Sequence, residues 1–270
     1  MPELPEVETS RRGIEPFLVG EQIRDIIIRQ RSLRWPISRD IDKYLPGATV
    51  TSVDRRAKYL LINTTIGTAI LHLGMSGSVI IVDTDTPAAV HDHVDIVLKS
   101  GKSLRFRDPR RFGSLHWSAD ADQHWLLSKL GPEPLSEAFS ASYLWSRSRG
   151  RKVAVKQFVM NANIVVGIGN IYASESLFLA GIHPRRAAGR IALRRYELLV
   201  ATIRDVLERA SRAGGTTLRD FYGGDGEAGY FQQELEVYGR DGEACSRCDR
   251  PISLVVIGQR STFYCKDCQH

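Results

Sequence analysis

The sequence predicts a two-domain α+β protein: a strand-rich N-terminal half led by one helix, then a helical half that closes in a short metal-bound hairpin. Three observations carry that expectation. The length of 270 residues is about twice the usual domain size. Short β-branched runs separated by turn residues fill residues 23–130, and helical periodicity takes over beyond them. All four cysteines fall in the last 26 residues, as C-x2-C-x16-C-x2-C at Cys245, Cys248, Cys265 and Cys268. Two close pairs on separate turns can set four thiolates around one tetrahedral Zn2+. So short a tail cannot bury enough apolar surface to fold alone, and a single structural ion would supply its stability. Disulfides do not suit a chain with no secretory signal and no cysteine elsewhere.

Composition narrows the partners. The 43% apolar fraction is enough for sizeable cores. No run approaches the roughly 20 apolar residues of a membrane span, and the charged start is not a signal peptide, so a cytoplasmic protein without membrane contact is expected. Net charge is +6 and unevenly placed. Between Arg147 and Arg219 there are 14 Lys/Arg against four acids, a net +10 that leaves −4 for the rest. Solvated faces usually mix both signs, so this one-sided excess points to a polyanion, with nucleic acid the leading candidate.

The first helix begins within Met1-Pro2-Glu3-Leu4-Pro5-Glu6-Val7-Glu8. Pro5 suits a first helical turn, and Glu6 and Glu8 suit its positive end. Val7, Ile14 and Leu18 supply an apolar stripe that closes at Gly20. Met1 precedes a small residue, the context in which it is trimmed, so Pro2 would offer a secondary amine. An α-amino group has a reference pKa of about 7.7–8.0, against about 10.4 for lysine, and a helix N-terminus lowers it further. A neutral amine there can attack an aldehyde-level carbon to form an iminium, with Glu3 beside it as acid or base. A stiffened, exposed tail is the alternative at this stage.

Strands are expected at Gln22–Ile28, Thr49–Val53, Tyr59–Asn63, Thr68–Leu73, Ser78–Val82, Val94–Leu98 and Ser103–Arg107, a spacing that suits a β-sandwich or barrel. Three stretches are not explained by strands. Arg55-Arg56-Ala57-Lys58 places cations before a strand, where Lys58 can meet a phosphate. Leu71-His72-Leu73-Gly74-Met75-Ser76-Gly77 sets an apolar tip, Met75, between glycines that permit a sharp turn, with a packed methionine the alternative. Arg105-Phe106-Arg107-Asp108-Pro109-Arg110-Arg111-Phe112-Gly113 interleaves arginine with aromatics. Phe can wedge between base steps and Arg can hydrogen-bond base edges, although a core Phe112 between surface arginines fits as well.

Leu130-Gly131-Pro132-Glu133-Pro134-Leu135 reads as a linker. Beyond it Leu199, Ile203, Val206, Leu207 and Ala210 mark one face of a helix. Gly167-Ile168-Gly169-Asn170 precedes a second helical run and would turn free backbone N–H groups toward a phosphate. Residues 219–230, with four glycines, read as a loop.

These motifs together resemble the formamidopyrimidine-DNA glycosylase family. The matching stretches are PELPEVE at 2–8, RRAKYL at 55–60, HLGMSG at 72–77, HDH at 91–93, DPRRFG at 108–113, LGPEPL at 130–135, VVGIGNIYASE at 165–175, GGTTLRDF at 214–221, VYGR at 237–240 and the four-cysteine element with Gln259-Arg260. The resemblance is collinear over essentially the whole chain. It implies an N-terminal β-sandwich preceded by the catalytic helix, and a C-terminal domain with a helix–two-turn–helix element and a zinc-finger β-hairpin. The expected boundaries are 1–131, a linker region at 132–150, 151–230 and 231–270.

The resemblance also implies an activity: excision of oxidised purines such as 8-oxoguanine and formamidopyrimidines from duplex DNA, with AP lyase chemistry; a monomer is expected, and no protein partner is inferred. Pro2 would be the nucleophile and Glu3 the proton donor. Lys58 would serve β-elimination and Arg260 δ-elimination, both also touching phosphate. Lys156 and Asn170 would clamp phosphate, and His91, Arg110 and Arg151 would contact DNA. Met75, Arg110 and Phe112 would fill the void left by a flipped nucleotide. Arg110 only donates, which suits the two acceptors of an estranged cytosine. Residues 219–230 would cap the lesion. The endonuclease VIII type shares the Pro2-Glu3 start but has Gly where Leu4 stands and lacks this trio. A non-catalytic binder of damaged DNA and a zinc-ribbon RNA-binding protein are the rival classes. The second leaves the N-terminus unexplained.

Overall fold

The computed structural model describes residues 2–216 and 235–270. They form two compact units, one reaching from the N-terminus to Ser128 and taking in the described residues from Ala213, the other holding Lys129–Arg212 and the residues from 235 onward.

The first unit opens with α1 (Leu4–Leu18). Glu3 and Glu6 form a reciprocal capping box, and Pro5 sits in the first turn where its missing N–H costs nothing. Leu4, Val7, Ile14 and Leu18 share a buried face, and the chain reverses at Gly20 with φ +85°. Eight strands follow: β1 (Ile23–Ile28), β2 (Val50–Arg56), β3 (Tyr59–Thr64), β4 (Gly67–His72), β5 (Ser78–Asp83), β6 (Asp92–Leu98), β7 (Lys102–Arg107) and β8 (Ser114–Ser118). They build two four-stranded antiparallel sheets, in the orders β1-β6-β7-β5 and β2-β3-β4-β8. One apolar core draws on α1 and on both sheets (Val7, Ile14, Leu60, Ile62, Ile96 and Phe106 among its members), which makes the unit a sandwich and not a barrel.

Seven of these strands fall within a few residues of the sequence expectation. The eighth, Ser114–Ser118, was not expected, because Ser-Leu-His-Trp-Ser carries no β-branched residue and is made a strand by pairing with β4. A short helix, α2 (Arg39–Tyr44), is also additional; six residues are too few to show a helical period. Across the outer sheet a buried ion network pins the loop before β6. Arg105, 2% exposed, donates two hydrogen bonds to Asp95 at 2.9 Å and others to the carbonyls of Thr86 and Pro87.

The second unit contains α3 (Ala141–Ser148), α4 (Val155–Val159), α5 (Asn170–Leu179), α6 (Leu193–Arg212) and the hairpin β9 (Ser253–Ile257)–β10 (Arg260–Tyr264). The expected stripe on α6 is buried at every position, from Leu199 to Ala210. The stretch 132–150, expected as a linker region, carries α3 and is bound into the unit. Gly131 N–H donates to Ala162 O at 2.8 Å, and Arg204 of α6 donates to the carbonyls of Pro134, Ser136 and Phe139.

Candidate active site, nucleic-acid surface and metal centre

Pro2 and Glu3 stand at the positive end of α1, and both are buried. Glu6, one turn along and 1% exposed, holds this start in place. Its Oε2 accepts from the Glu3 N–H at 2.8 Å, and its Oε1 accepts from the N–H and hydroxyl of Thr216 at 2.9 and 3.0 Å. The helix start is thus tied to the segment that precedes 217–234. The expected lesion-capping loop at 219–230 lies outside the described residues.

Lys58 lies in the two-residue turn between β2 and β3, beside Ala57 at φ +57°. Glu8 of α1 steadies that turn at one remove. Its carboxylate gathers Arg11, Arg12 and Arg55, and Arg55 donates to Ala57 O at 2.9 Å. Burial pushes the Glu8 carboxyl up, but those guanidiniums outweigh it and hold it below the usual carboxylate range. Across from Tyr59, the His72 ring is depressed to about 4, first by burial and then by the charges of Lys58 and Arg34. His72 is therefore neutral, and its Nδ1 accepts from the Gly74 N–H at 3.0 Å.

The two predicted insertion turns sit side by side in the same unit. Met75 is 39% and Phe112 43% exposed, which rejects a core Phe112, and the Arg110 guanidinium lies 4.9 Å from the Phe112 ring centre. His91 is exposed on the approach to β6, its ring 6.4 Å from that of His93.

In the second unit two expected residues, Lys156 and Asn170, converge on the C-terminal hairpin. Lys156 is 1% exposed, and its Nζ donates to Asn170 Oδ1 at 2.7 Å, Thr262 Oγ1 at 2.8 Å and Ser261 O at 3.1 Å. Asn170 Nδ2 also donates to Ser261 O, at 2.9 Å. The ammonium is therefore an internal strut joining α4, the first residue of α5 and β10. Arg260 is exposed, one residue before Ser261 and directly after the Gly258-Gln259 turn, where both residues have positive φ. Arg151 is exposed, with its guanidinium 5.7 Å from the Phe158 ring centre and its Nε donating to Arg147 O at 2.7 Å.

Cys245, Cys248, Cys265 and Cys268 bring their sulfurs within 4.8 Å of one another. The Cys245–Cys268 and Cys248–Cys265 sulfurs are 3.9 and 3.5 Å apart. Tetrahedral Zn–S bonds of about 2.3 Å place sulfurs about 3.8 Å apart, so this all-thiolate set fits one structural zinc ion. Arg247, between the first two ligands, reaches back to the carbonyls of Phe178 and Leu179 at the end of α5. Glu175 of α5, 2% exposed, accepts three N–H groups from residues 236–238. Burial raises its carboxyl, and those N–H groups offset part of the rise. Sequence reasoning placed Glu6 only as a carboxylate at the positive end of the first helix, and assigned no role to Thr216, Glu175 or Arg247. Their acidic, hydroxyl and basic types were visible, but their partners are set by tertiary contacts.

A helix start with Pro2 and Glu3, two exposed turns at Met75 and Phe112, a basic helical unit and a four-thiolate hairpin are the arrangement expected of a zinc-finger DNA glycosylase. Family models match almost end to end: the formamidopyrimidine-DNA glycosylase N-terminal domain over residues 1–115, the formamidopyrimidine-DNA glycosylase H2TH domain over 130–222, and the zinc finger found in FPG and IleRS over 242–270. The chain belongs to the formamidopyrimidine-DNA glycosylase family. It is 57% identical over 270 residues to the formamidopyrimidine-DNA glycosylase of Xanthomonas oryzae pv. oryzae, covering 100% of both chains. A Lactococcus lactis family member solved with DNA containing Fapy-dG is 33% identical with a TM-score of 0.92, covering 100% of both chains. The wild-type Lactococcus lactis protein solved with DNA containing an oxidised pyrimidine is 33% identical with a TM-score of 0.91, again over 100% of both chains. Among the described residues no helix is long and apolar enough to cross a membrane.

Proposed function

We propose that this enzyme excises oxidised purines, 8-oxoguanine and formamidopyrimidines, from duplex DNA in the cytoplasm, through an iminium on Pro2. The observation that carries this reading is the helix start itself: Pro2 followed by Glu3, braced by Glu6 through the Glu3 N–H at 2.8 Å. The positive end of α1 disfavours a cationic amine, so once Met1 is removed Pro2 is poised as a neutral nucleophile. With the damaged nucleotide flipped from the stack, the Pro2 nitrogen bonds to C1′ and the C1′–base bond breaks. The electron pair leaves with the base, which takes up a proton, and the Pro2 nitrogen sheds its own. Glu3 protonates the ring oxygen, the sugar opens, and nitrogen and C1′ share an iminium. That cation acidifies C2′, so a proton is lost there and the 3′ phosphate departs; loss of a second proton, from C4′, then releases the 5′ phosphate. Lys58 and Arg260 serve these two eliminations while holding phosphate.

Met75, Arg110 and Phe112 occupy the void in the duplex, with Arg110 donating to the estranged base. Asn170, oriented by the buried Lys156, receives phosphate at the start of α5. His91 and Arg151 add further backbone contacts. The oxidised pyrimidine held by the Lactococcus lactis relative supports a second, minor substrate class for the same site. Borohydride trapping on duplexes carrying 8-oxoguanine opposite cytosine, an oxidised pyrimidine, or no lesion tests the reading. A stable adduct located at Pro2 by mass spectrometry, strongest with 8-oxoguanine, is expected. Tight lesion binding without an adduct refutes it in favour of a non-catalytic binder.

A further inference from the structure

The three exposed insertion residues do not lie on one element. Met75 caps the turn after β4, whereas Arg110 and Phe112 belong to the turn after β7. Between the two turns lies one carboxylate, Asp108, which is fully buried. Its Oδ1 accepts from the Ser76 hydroxyl at 3.0 Å, next to Met75, and its Oδ2 accepts from the Gly113 N–H at 2.7 Å, next to Phe112. Its own backbone is held as well: Asp108 N–H donates to His91 O at 3.0 Å, and Asp108 O lies 2.8 Å from His93 Nε2. The turns also touch without side chains. Gly74 has φ +71°, and a Cβ there would meet the Phe112 carbonyl carbon at 2.5 Å.

We infer that Asp108 is a positioning residue that joins the two turns into one rigid insertion unit, so that opposite-base selectivity depends on a carboxylate that never touches DNA. The inference rests on the proposed void-filling role of Met75, Arg110 and Phe112. Each tip is exposed and held only through its turn, so the distance from Met75 to Arg110 is set by what binds Ser76 to Gly113. Removing the carboxylate leaves the Gly113 N–H buried and unpaired, and the turn must shift to satisfy it. Arg110 then loses its alignment with the acceptors of the opposite cytosine, while Pro2 and Glu3 keep theirs.

The test measures excision of 8-oxoguanine opposite cytosine and opposite adenine in wild type and in Asp108→Ala, Ser76→Ala, Asp108→Asn and Arg110→Ala. Asp108→Ala is expected to reduce the cytosine-over-adenine ratio about tenfold, the scale of one buried charged hydrogen bond. Ser76→Ala, which removes only one of the two tethers, should reduce it less and keeps the test available if Asp108→Ala fails to fold. Asp108→Asn should restore most of the ratio, because its oxygen can accept from Gly113 while its amide donates to Ser76 Oγ. A ratio lost in Arg110→Ala but unchanged in Asp108→Ala and Ser76→Ala overturns the inference and leaves the void-filling reading intact. An unchanged ratio in Arg110→Ala overturns that reading and the inference with it.

Discussion

Replacing Glu6 with Gln is a near-isosteric change with a consequence that can be worked from the geometry. The carboxylate faces donors on both oxygens: the Glu3 N–H on Oε2, and the Thr216 N–H and hydroxyl on Oε1. A glutamine has one acceptor oxygen and one NH2 group. With its oxygen toward Thr216, the NH2 opposes the Glu3 N–H; flipped, it opposes the Thr216 N–H. Neither orientation serves both sides, and the site is 1% exposed, so water cannot repair it. An orphaned buried donor costs about 1–3 kcal/mol, and the surviving bonds lose their charge assistance, for a total of about 2–4 kcal/mol. For a unit of this size that lowers the melting transition by about 10 °C.

Function should suffer at the same place. Glu3 loses the brace on its N–H, so kcat for base release should fall more than KM for lesion DNA rises. Differential scanning calorimetry and single-turnover excision read the two effects. Thr216→Val provides the coupling check: it removes only the hydroxyl, and its cost should shrink in the Glu6→Gln background. A Glu6→Gln protein that melts within about 1 °C of wild type, with unchanged kcat, would refute the argument that this carboxylate organises the helix start.

Four other outcomes are expected. Pro2→Gly should retain lesion binding but lose most base release and borohydride trapping; wild-type turnover would remove Pro2 from the mechanism. Stability should fall with acid through His72, whose ring is held near 4 in the fold against about 6.5 when exposed: the unfolded chain binds the extra proton, so as pH drops from about 6.5 to about 4 up to about 3 kcal/mol is lost. His72→Gln should flatten that slope in melting curves taken across the window, with a residue left by His116, which is likewise pushed down to about 4 by burial and by His124. Cys268→Ser, or chelation, should release zinc as read by metal analysis and weaken DNA affinity, because β10 carries Ser261 and Thr262 to Lys156 and Asn170; unchanged affinity would separate the hairpin from DNA binding. Binding should weaken steeply with salt through counterion release, and charge removal at Arg151 should lower that salt slope by about one.

What the sequence made legible and what it hid differ in sequence separation. The first helix, seven strands, the α6 stripe and the cysteine site follow from patterns within about twenty residues, where periodicity, turn residues and ligand spacing act directly. The supports of the site do not. Glu6 meets Thr216 across 210 positions, Lys156 meets Thr262 across 106, and Asp108 meets Ser76 across 32. Nothing local separates Glu6, which braces the helix start, from Glu8, which gathers three arginines two residues later.

Lys156 makes the distinction concrete. Its cationic type and its basic neighbourhood suggest a phosphate ligand, yet its ammonium is spent on Asn170, Ser261 and Thr262. Burying a charge this fully is costly unless every proton is used, and three partners at 2.7–3.1 Å use them. The cation helps to fix the Asn170 side chain at the first residue of α5, and its proposed action on DNA runs through that residue. Together with the bond from Asn170 Nδ2 to Ser261 O, this holds the amide in one orientation, and an α-helix start holds phosphate best when the groups around it are fixed beforehand. The same logic governs Glu6 behind Glu3 and Asp108 behind Phe112. In each case a buried, hydrogen-bonded group of charged type holds a second residue to which the proposed function assigns a part. The candidate chemistry is written in short sequence motifs; their positioning depends on buried groups that the fold brings from far along the chain.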